Sequence, residues 1–180
     1  MEFADAVRAR HSVRAYRKKT VEPSKLEAVL AAANAAPSAG NLQGYSIVVV
    51  RDAETRARLA DASLGQAFVA EAPVALVFCA DARRSGSKYG RRGETLYAVQ
   101  DATIAAAYAQ LAAVDAGLAT VWVGAFDETA VAESIGAPPH ARPVAILPVG
   151  YAAEHPEASP RRPLTDLVHT ERYDPPRQSV

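Results

Sequence analysis

The stretch Ala72-Pro-Val-Ala-Leu-Val-Phe-Cys-Ala80 decides the fold class of this 180-residue chain. Its central part, Val74–Cys79, is apolar at every position instead of alternating, which is typical of a strand buried on both faces. Tyr45–Arg51 and Val144–Val149 are further predominantly apolar strand candidates, and helical patterns lie between the strands. A sheet that is apolar on both faces needs helices on both faces, so we expect an α+β or α/β sandwich.

The remaining sequence divides into alternating helices and strands. From apolar spacing and terminal signals we predict helices over Glu2–Ala9, from Pro23 up to Pro37, and over Ala53–Ala62, Thr95–Ala116 and Glu128–Ile135, and a further strand over Thr120–Gly124. Residues 82–93 contain three glycines and four arginines, which favours an exposed loop. We expect residues 1–180 to form one domain with an extended tail from about residue 152.

Composition argues against several classes of function. Twenty basic and twenty acidic side chains cancel, so the chain has no general electrostatic attraction for nucleic acid or for an anionic membrane. Cys79 is the only cysteine, which excludes a disulfide within the chain and, in an apolar strand, favours a buried core thiol. The four histidines are scattered without ligand spacing, so no metal site is expected. The N-terminus lacks the apolar stretch of a signal peptide, and we expect a soluble, cytoplasmic protein.

A basic segment, Arg10-His11-Ser12-Val13-Arg14, follows the first predicted helix. Residues 1–19 as a whole carry six basic side chains against two acidic ones. Two guanidiniums on either side of a hydroxyl suit a phosphate, because arginine forks match phosphate oxygens and the hydroxyl can donate a further hydrogen bond. Taken alone, however, such a segment is more often a solvated basic turn.

Three further segments combine small and polar residues. Ala36-Pro-Ser-Ala-Gly-Asn-Leu-Gln43 joins a helix to a strand, and its closely spaced polar and turn residues favour a ligand-binding turn over a plain connection. Gly117-Leu-Ala-Thr-Val-Trp-Val-Gly-Ala-Phe-Asp127 enters a strand whose last glycine can present its backbone N–H to a ligand. Pro160-Arg161-Arg162-Pro163-Leu164 adds two cations that are also compatible with solvated surface. Asp101 and Asp115 on the long helix are interpreted as surface or interface groups.

In this order and spacing, the segments resemble the nitroreductase family of flavoproteins, and the resemblance covers nearly the whole chain. Six motifs carry it: Arg-x-Ser-x-Arg, Ala-Pro-Ser-Ala-Gly-Asn-Leu-Gln, Leu-Tyr-Ala-Val-Gln-Asp on the long helix, Gly-Leu-x-Thr-x-Trp-Val-Gly-Ala-Phe, Pro-Val-Gly-Tyr and Arg-x-Pro-Leu. The resemblance implies an α+β fold, a three-layer α/β/α sandwich around a mostly antiparallel or mixed sheet, assembled as an intertwined homodimer. It also implies FMN, bound without a covalent link at the interface between the subunits.

The resemblance also assigns FMN contacts to particular residues. Arg10, His11, Ser12 and Arg14 are expected at the phosphate and ribityl end, with Arg161 closing over the phosphate, or Arg162 if the register of the tail differs by one. Contacts near the flavin ring are expected from the turn, contributed by the other subunit, and from the segment around Gly124; these residues are Pro37, Ser38, Ala39, Asn41, Val123, Gly124 and Ala125. Gln66 is expected to contact either the ring or the ribityl chain. Tyr45 either touches the edge of the flavin or only caps its strand. No catalytic side chain is implied, because the flavin performs the redox chemistry.

The implied activity is that of an FMN-dependent oxidoreductase with a ping-pong mechanism. NADH or NADPH reduces the FMN and leaves, and an electron-poor small molecule such as a nitroaromatic or a quinone then takes two electrons in the same pocket. Two other functions stay open: different flavin chemistry on the same fold, such as dehalogenation or dehydrogenation, and non-catalytic storage or sensing of FMN.

Overall fold

Four antiparallel strands form one sheet in the order β1-β2-β4-β3. They are β1 (Tyr45–Val50), β2 (Val74–Asp81), β3 (Ala119–Thr120) and β4 (Ala141–Gly150), in a computed structural model that describes residues 1–173. β2 pairs with β1 on one side and with β4 on the other. The stretch that decides the fold class is therefore an inner strand, and every residue from Val74 to Ala80 is buried.

Helices connect and cover the strands. They are α1 (Phe3–Ala9), α2 (Pro23–Asn34), α3 (Ala53–Ala62), α4 (Phe68–Glu71), α5 (Ala82–Arg92), α6 (Ala98–Asp115) and α7 (Glu128–Ile135). Single 3-10 turns lie at Ala39–Asn41 and Leu164–Asp166, and a π-turn at Gly93–Tyr97 joins α5 directly to α6. Asp52, Asp81 and Asp127 begin α3, α5 and α7, because each carboxyl group accepts a hydrogen bond from the backbone N–H three residues on, at 2.7, 2.8 and 2.9 Å respectively.

The side chains of β2 alternate between two hydrophobic clusters, one on each face of the sheet. Val74, Leu76 and Phe78 pack with residues of α2 and α6. The intervening residues of the strand pack on the opposite face with residues of α3, α4 and α7. The layers are therefore helix, sheet and helix. This confirms the α+β class and the mostly antiparallel sheet.

The prediction of a loop over residues 82–93 is wrong, because most of this segment is α5. Its glycines reflect close packing instead of loop structure. A Cβ atom at Gly93 would overlap the carbonyl oxygen of Ser85, and one at Gly86 would overlap the side chain of Glu94. Only Gly90 leaves the helical conformation, with φ 53° and ψ −145°, and it kinks the helix near its end.

The strand predicted over Thr120–Gly124 is also interrupted. Regular pairing with β4 covers only Ala119 and Thr120, and Val123 then pairs singly with Ile146 in the same register. In that register Pro148 lies opposite Val121, and proline has no N–H to donate to the ladder. The missing bond therefore divides the strand, whose direction nevertheless continues.

Candidate functional site

The segment that follows α1 lies in extended conformation at the edge of the sheet. Ser12 pairs in parallel with Thr120 of β3, and Tyr16 pairs antiparallel with Ala152, two residues beyond β4. Because the second pairing is antiparallel, the chain after Ala152 runs back past the basic segment toward Arg10. The basic segment and the start of the tail are brought together in this way.

Two hydrogen bonds continue this pairing. The N–H of Ala153 donates to the carbonyl oxygen of Ala15 at 2.9 Å, and the carboxylate of Glu154 accepts from the backbone N–H of Arg14. Beyond them, a cleft of 390 Å³, here called the N-terminal cleft, opens between the basic segment and the tail. Its polar lining residues include Arg8, Arg10, His11, Ser12, Arg14, Glu157, Ser159 and Arg161.

The electrostatic character of the N-terminal cleft is positive. Its lining contains four arginines, and Glu157 is the acidic residue among the lining groups. Arg8 pairs with Asp5, but within residues 1–173 no carboxylate forms an ion pair with Arg10, Arg14 or Arg161. Guanidiniums that face a common space without internal counter-ions form a suitable site for an anion.

The two arginines of the tail are in different positions. Arg161 lines the N-terminal cleft, whereas Arg162 is not part of its lining. The guanidinium of Arg162 instead donates a hydrogen bond to the backbone carbonyl of Asp166 at 2.9 Å, within the turn at Leu164–Asp166. The structure therefore brings Arg161, and not Arg162, together with the basic segment.

The predicted turn forms a loop between α2 and β1, here called the 37–44 loop. Inside it, the hydroxyl of Ser38 accepts a hydrogen bond from the N–H of Gln43 at 2.9 Å. Asp101 on α6 accepts two more, from the N–H of Ala39 at 2.9 Å and from the N–H of Gly44 at 3.1 Å. The loop is thus fixed both by its own serine and by a side chain of the long helix.

A cavity of 510 Å³ lies between this loop and the first turns of α6. Pro37, Ser38 and Ala39 line it on the loop side, while Asn41 is exposed outside its lining. The hydroxyl of Tyr45 donates to the carbonyl oxygen of Ala33 at 3.0 Å, so it ties the start of β1 to α2.

The third group of predicted residues surrounds the interrupted strand. Gln66 donates from its amide nitrogen to the carbonyl oxygen of Ser63 at 2.8 Å and to that of Ala125 at 3.4 Å. Val123 is buried, and both its N–H and its carbonyl group bond to Ile146, each at 3.0 Å. Gly124 and Ala125 are exposed. Gln66 and Ala125 are therefore adjacent, although 59 residues separate them in the sequence.

Within one chain the predicted residues form three groups. The N-terminal cleft holds the basic segment and Arg161, a second cavity lies beside the 37–44 loop, and Gln66 contacts the segment around Gly124. The linings of the first two spaces share no residue. The predicted residues therefore lie in separate places within one chain.

Two residues that position these groups through hydrogen bonds were not predicted from the sequence. Asp101 is only 2% exposed, so its interpretation as a helix-surface group is wrong, while the alternative of an interface group stays a prediction. A signal was present, since Asp101 lies three and four residues from Ala98 and Ala105, on the helix face that the small alanines bury. Glu154, which fixes the backbone of Arg14, lies in a polar tail whose sequence carries no comparable periodic signal.

Other groups do not take part in these arrangements. Cys79 is buried as predicted, and burial raises the pKa of its thiol to about 11, which is typical of a core residue and not of a nucleophile. In residues 1–173, no helix combines the length and the apolar character needed to cross a bilayer.

The sequence model of the nitroreductase family matches residues 7–70 and 63–151 of the chain, which include the basic segment, the 37–44 loop and all four strands. The chain belongs to the nitroreductase family. This confirms the family that the six motifs predicted.

Individual relatives and solved structures extend the match. A Thermus thermophilus protein named NADH dehydrogenase is 36% identical, with 93% of this chain and 95% of that protein aligned. The oxygen-insensitive NADPH nitroreductase of Salmonella typhimurium is 32% identical over 91% of this chain and 71% of its own. The solved structure of an NADPH:FMN oxidoreductase from Vibrio harveyi complexed with NAD+ has a TM-score of 0.88 and 29% identity, covering 96% of this chain and 78% of that one. Nearly the whole chain therefore shares the nitroreductase fold.

Proposed function

We propose that this nitroreductase-family chain is an FMN-dependent oxidoreductase of the cytoplasm that uses NADH or NADPH to reduce an electron-poor small molecule, such as a nitroaromatic or a quinone. The observation that carries the proposal is the N-terminal cleft, because Arg10, Arg14 and Arg161 line one space and form no ion pair with a carboxylate within residues 1–173. Relatives named as an NADPH nitroreductase and as an NADPH:FMN oxidoreductase support the same activity.

The N-terminal cleft fits the phosphate of FMN in charge and in hydrogen-bonding groups. Arg10, Arg14 and Arg161 can each donate to phosphate oxygens, and the hydroxyl of Ser12 can donate a further bond. Arg10 and His11 are half-buried, so water screens their interactions with an anion less than at a fully exposed position. His11 adds another ring N–H donor to the same lining. We therefore assign these five residues to the phosphate end of FMN.

FMN, when bound, supplies the two-electron chemistry, and the protein binds and orients it. We assign the 37–44 loop, through Pro37, Ser38, Ala39 and Asn41, and the segment around Gly124 to the ring. Within residues 1–173 the exposed N–H of Gly124 makes no backbone hydrogen bond, so it is available as a donor. Gln66 orients the same segment through its bond to Ala125. Val123 contributes packing only, since both its backbone groups bond to Ile146.

We further propose that the site is completed by a second copy of the chain in a homodimer. In one protomer the residues assigned to the phosphate and the 37–44 loop line separate cavities. A partner subunit is therefore needed to bring both to one FMN. The end of the described chain exposes four large apolar side chains, Leu164, Leu167, Val168 and Tyr173. Such a run of exposed apolar residues on an extended tail favours an interface with another subunit.

The test begins with the visible absorption spectrum of the purified protein, followed by anaerobic addition of NADH and, separately, NADPH. We expect a flavin spectrum that bleaches within seconds with at least one donor, and the faster donor identifies the preferred nicotinamide. Addition of a nitroaromatic or a quinone to the bleached protein is then expected to restore the oxidised spectrum.

Two outcomes would contradict the proposal in different ways. A bound flavin that neither donor reduces would favour storage or sensing, or a flavin reaction with another donor. No flavin, even after incubation of the protein with excess FMN, would refute the assignment of the N-terminal cleft. Sedimentation velocity tests the dimer: we expect a dimer at micromolar concentration, and a monomer that retains FMN would overturn that part of the proposal.

A further inference from the structure

The 37–44 loop adopts an unusual backbone conformation. Three of its residues lie in the left-handed region, with φ of 57° at Gly40, 56° at Asn41 and 52° at Gln43. Two of them are not glycine, and left-handed conformations are unfavourable for residues that carry a side chain. Surrounding contacts must therefore select this conformation over the alternatives available to a short connection.

Two of these contacts come from Asp101. Its two carboxyl oxygens accept hydrogen bonds on either side of the left-handed residues, one from the N–H of Ala39 and the other from the N–H of Gly44. The Asp101 side chain itself is only 2% exposed. A single group on the rigid α6 therefore closes a loop that spans all three left-handed residues.

The packing around Gly44 shows how closely the loop approaches α6. A Cβ atom at Gly44 would lie 3.1 Å from a carboxyl oxygen of Asp101 and would overlap the hydroxyl of Ser85. The absence of a side chain at this position is what allows the backbone to reach Asp101. On the other side of the loop, the guanidinium of Arg84 donates to the carbonyl oxygen of Leu42. Side chains of both α5 and α6 therefore form hydrogen bonds with the loop.

We propose that Asp101 is a positioning residue for FMN, which it does not itself need to touch: by holding the backbone of Ala39 and Gly44 in the 37–44 loop it sets the positions of Pro37, Ser38 and Asn41 against the flavin. This inference rests on the proposed function. Its physical basis is that a loop held in a left-handed conformation before the ligand arrives does not have to be ordered on binding. Loss of either hydrogen bond frees the loop at one of these two positions and leaves a backbone donor without its partner, buried at Gly44 and half-buried at Ala39.

The test uses Asp101→Asn, which keeps the size of the side chain but replaces one accepting oxygen with an NH2 group. Asp115→Asn is the matched control, because Asp115 lies on the same helix but is exposed and pairs with the N-terminal amine. Hydrogen–deuterium exchange of the apoprotein measures the amides of Ala39 and Gly44. We expect at least one of them to exchange about tenfold faster in Asp101→Asn, with Val77 in β2 unchanged and with no such effect in the control.

A second readout follows FMN itself. We expect the Kd for FMN to rise by about tenfold in Asp101→Asn, and the absorption bands of the bound flavin to shift because its surroundings change. Unchanged exchange at both amides would overturn the inference. Faster exchange with a wild-type Kd and spectrum would also overturn it, since Asp101 would then stabilise the loop without positioning FMN. If the wild-type protein binds no FMN, the proposed function fails and takes the flavin part of this inference with it, while the exchange data still report on the loop.

Should Asp101→Asn fail to fold, Ala39→Pro removes the donor instead of the acceptor. Ser38 has φ −141° and ψ 158°, a conformation compatible with a following proline, and Ala39 is the first residue of a 3-10 turn. Here too we expect weaker FMN binding. A wild-type Kd in this variant would overturn the inference.

Discussion

Substitution of the two neighbouring arginines in the tail gives a sharp test of the N-terminal cleft. Arg161 lines the cleft, whereas Arg162 donates to the carbonyl oxygen of Asp166 and lies outside the lining. Both are exposed arginines in the same extended segment, so Arg161→Ala and Arg162→Ala remove the same charge from nearly the same place. Long-range electrostatic attraction for FMN therefore changes similarly in both, and only the direct contact differs.

The magnitude follows from the exposure of Arg161. A hydrogen bond to a charged group contributes about 1.5–3 kcal/mol, and the lower end applies because solvent reaches this guanidinium. Since about 1.4 kcal/mol is a tenfold change in affinity, Arg161→Ala is expected to raise the Kd for FMN by about tenfold. For Arg162→Ala we expect about twofold or less, from the loss of a distant, screened charge.

The assay is titration of the apoprotein with FMN, followed by the change in flavin fluorescence at low and at physiological salt. Circular dichroism of both variants checks that the fold is unchanged. Equal losses of affinity would show that only the overall charge of the tail matters, and a larger loss in Arg162→Ala would show that the tail runs in the other register. Either result would refute the assignment of Arg161 to the phosphate.

Three further predictions concern groups outside the cleft. Cys79, whose thiol has a pKa raised to about 11 by burial, is expected to resist a thiol reagent at pH 8 in the native protein and to react rapidly in denaturant; rapid native labelling would contradict its core position. Tyr151 donates a hydrogen bond to Glu22, which is the largest cause lowering the pKa of that carboxyl group to about 2. This hydrogen bond stabilises the protein at pH values above the ordinary carboxyl pKa, and the stabilisation is lost as the pH falls toward 2. Tyr151→Phe should therefore lower Tm at pH 7 but change it little at pH 2. A difference in Tm that does not depend on pH would contradict the bond. Gly44→Ala should destabilise the protein by about 1–3 kcal/mol in urea unfolding, because its Cβ would overlap the hydroxyl of Ser85. Added Ser85→Ala should restore most of the loss, and failure to do so would show that the carboxyl group of Asp101, 3.1 Å from the added Cβ, is the main obstacle.

Much of the fold was predictable because its signals are local. β2 was identified from an unbroken apolar run, and the predicted bounds of α3 and α7 agree with the structure at both ends. Asp52 and Asp127 cap these two helices. An aspartate directly before a helical pattern can be recognised from the sequence alone as a helix start. The segments that carry the candidate site were found for a similar reason, since each is a short motif of characteristic residue types.

The errors arose where packing between elements decides the local structure. The glycines of residues 82–93 resemble loop residues until the packing of α5 against the π-turn is known: a Cβ atom at Gly93, in the turn, would overlap the carbonyl oxygen of Ser85 in α5. The interruption after β3 depends on Pro148, which lies opposite only once the register with β4 is fixed. An aspartate on a helix is expected at the surface. The burial of Asp101 is explained by the two loop amides that donate hydrogen bonds to its carboxyl group.

The N-terminal cleft, which carries the positive charge of the candidate site, also depends on contacts that a local pattern does not show. In an extended chain successive side chains point to opposite sides, so a shift of one residue would exchange Arg161 for Arg162. The sequence leaves this choice open because both residues are arginine. The bond between Ala153 and Ala15 and the pairing of Tyr16 with Ala152 fix the start of the tail against the N-terminal segment. The positive cleft therefore results from backbone pairing between the N-terminal segment and the start of the tail. A change that shifts this pairing should alter the site without replacing any arginine.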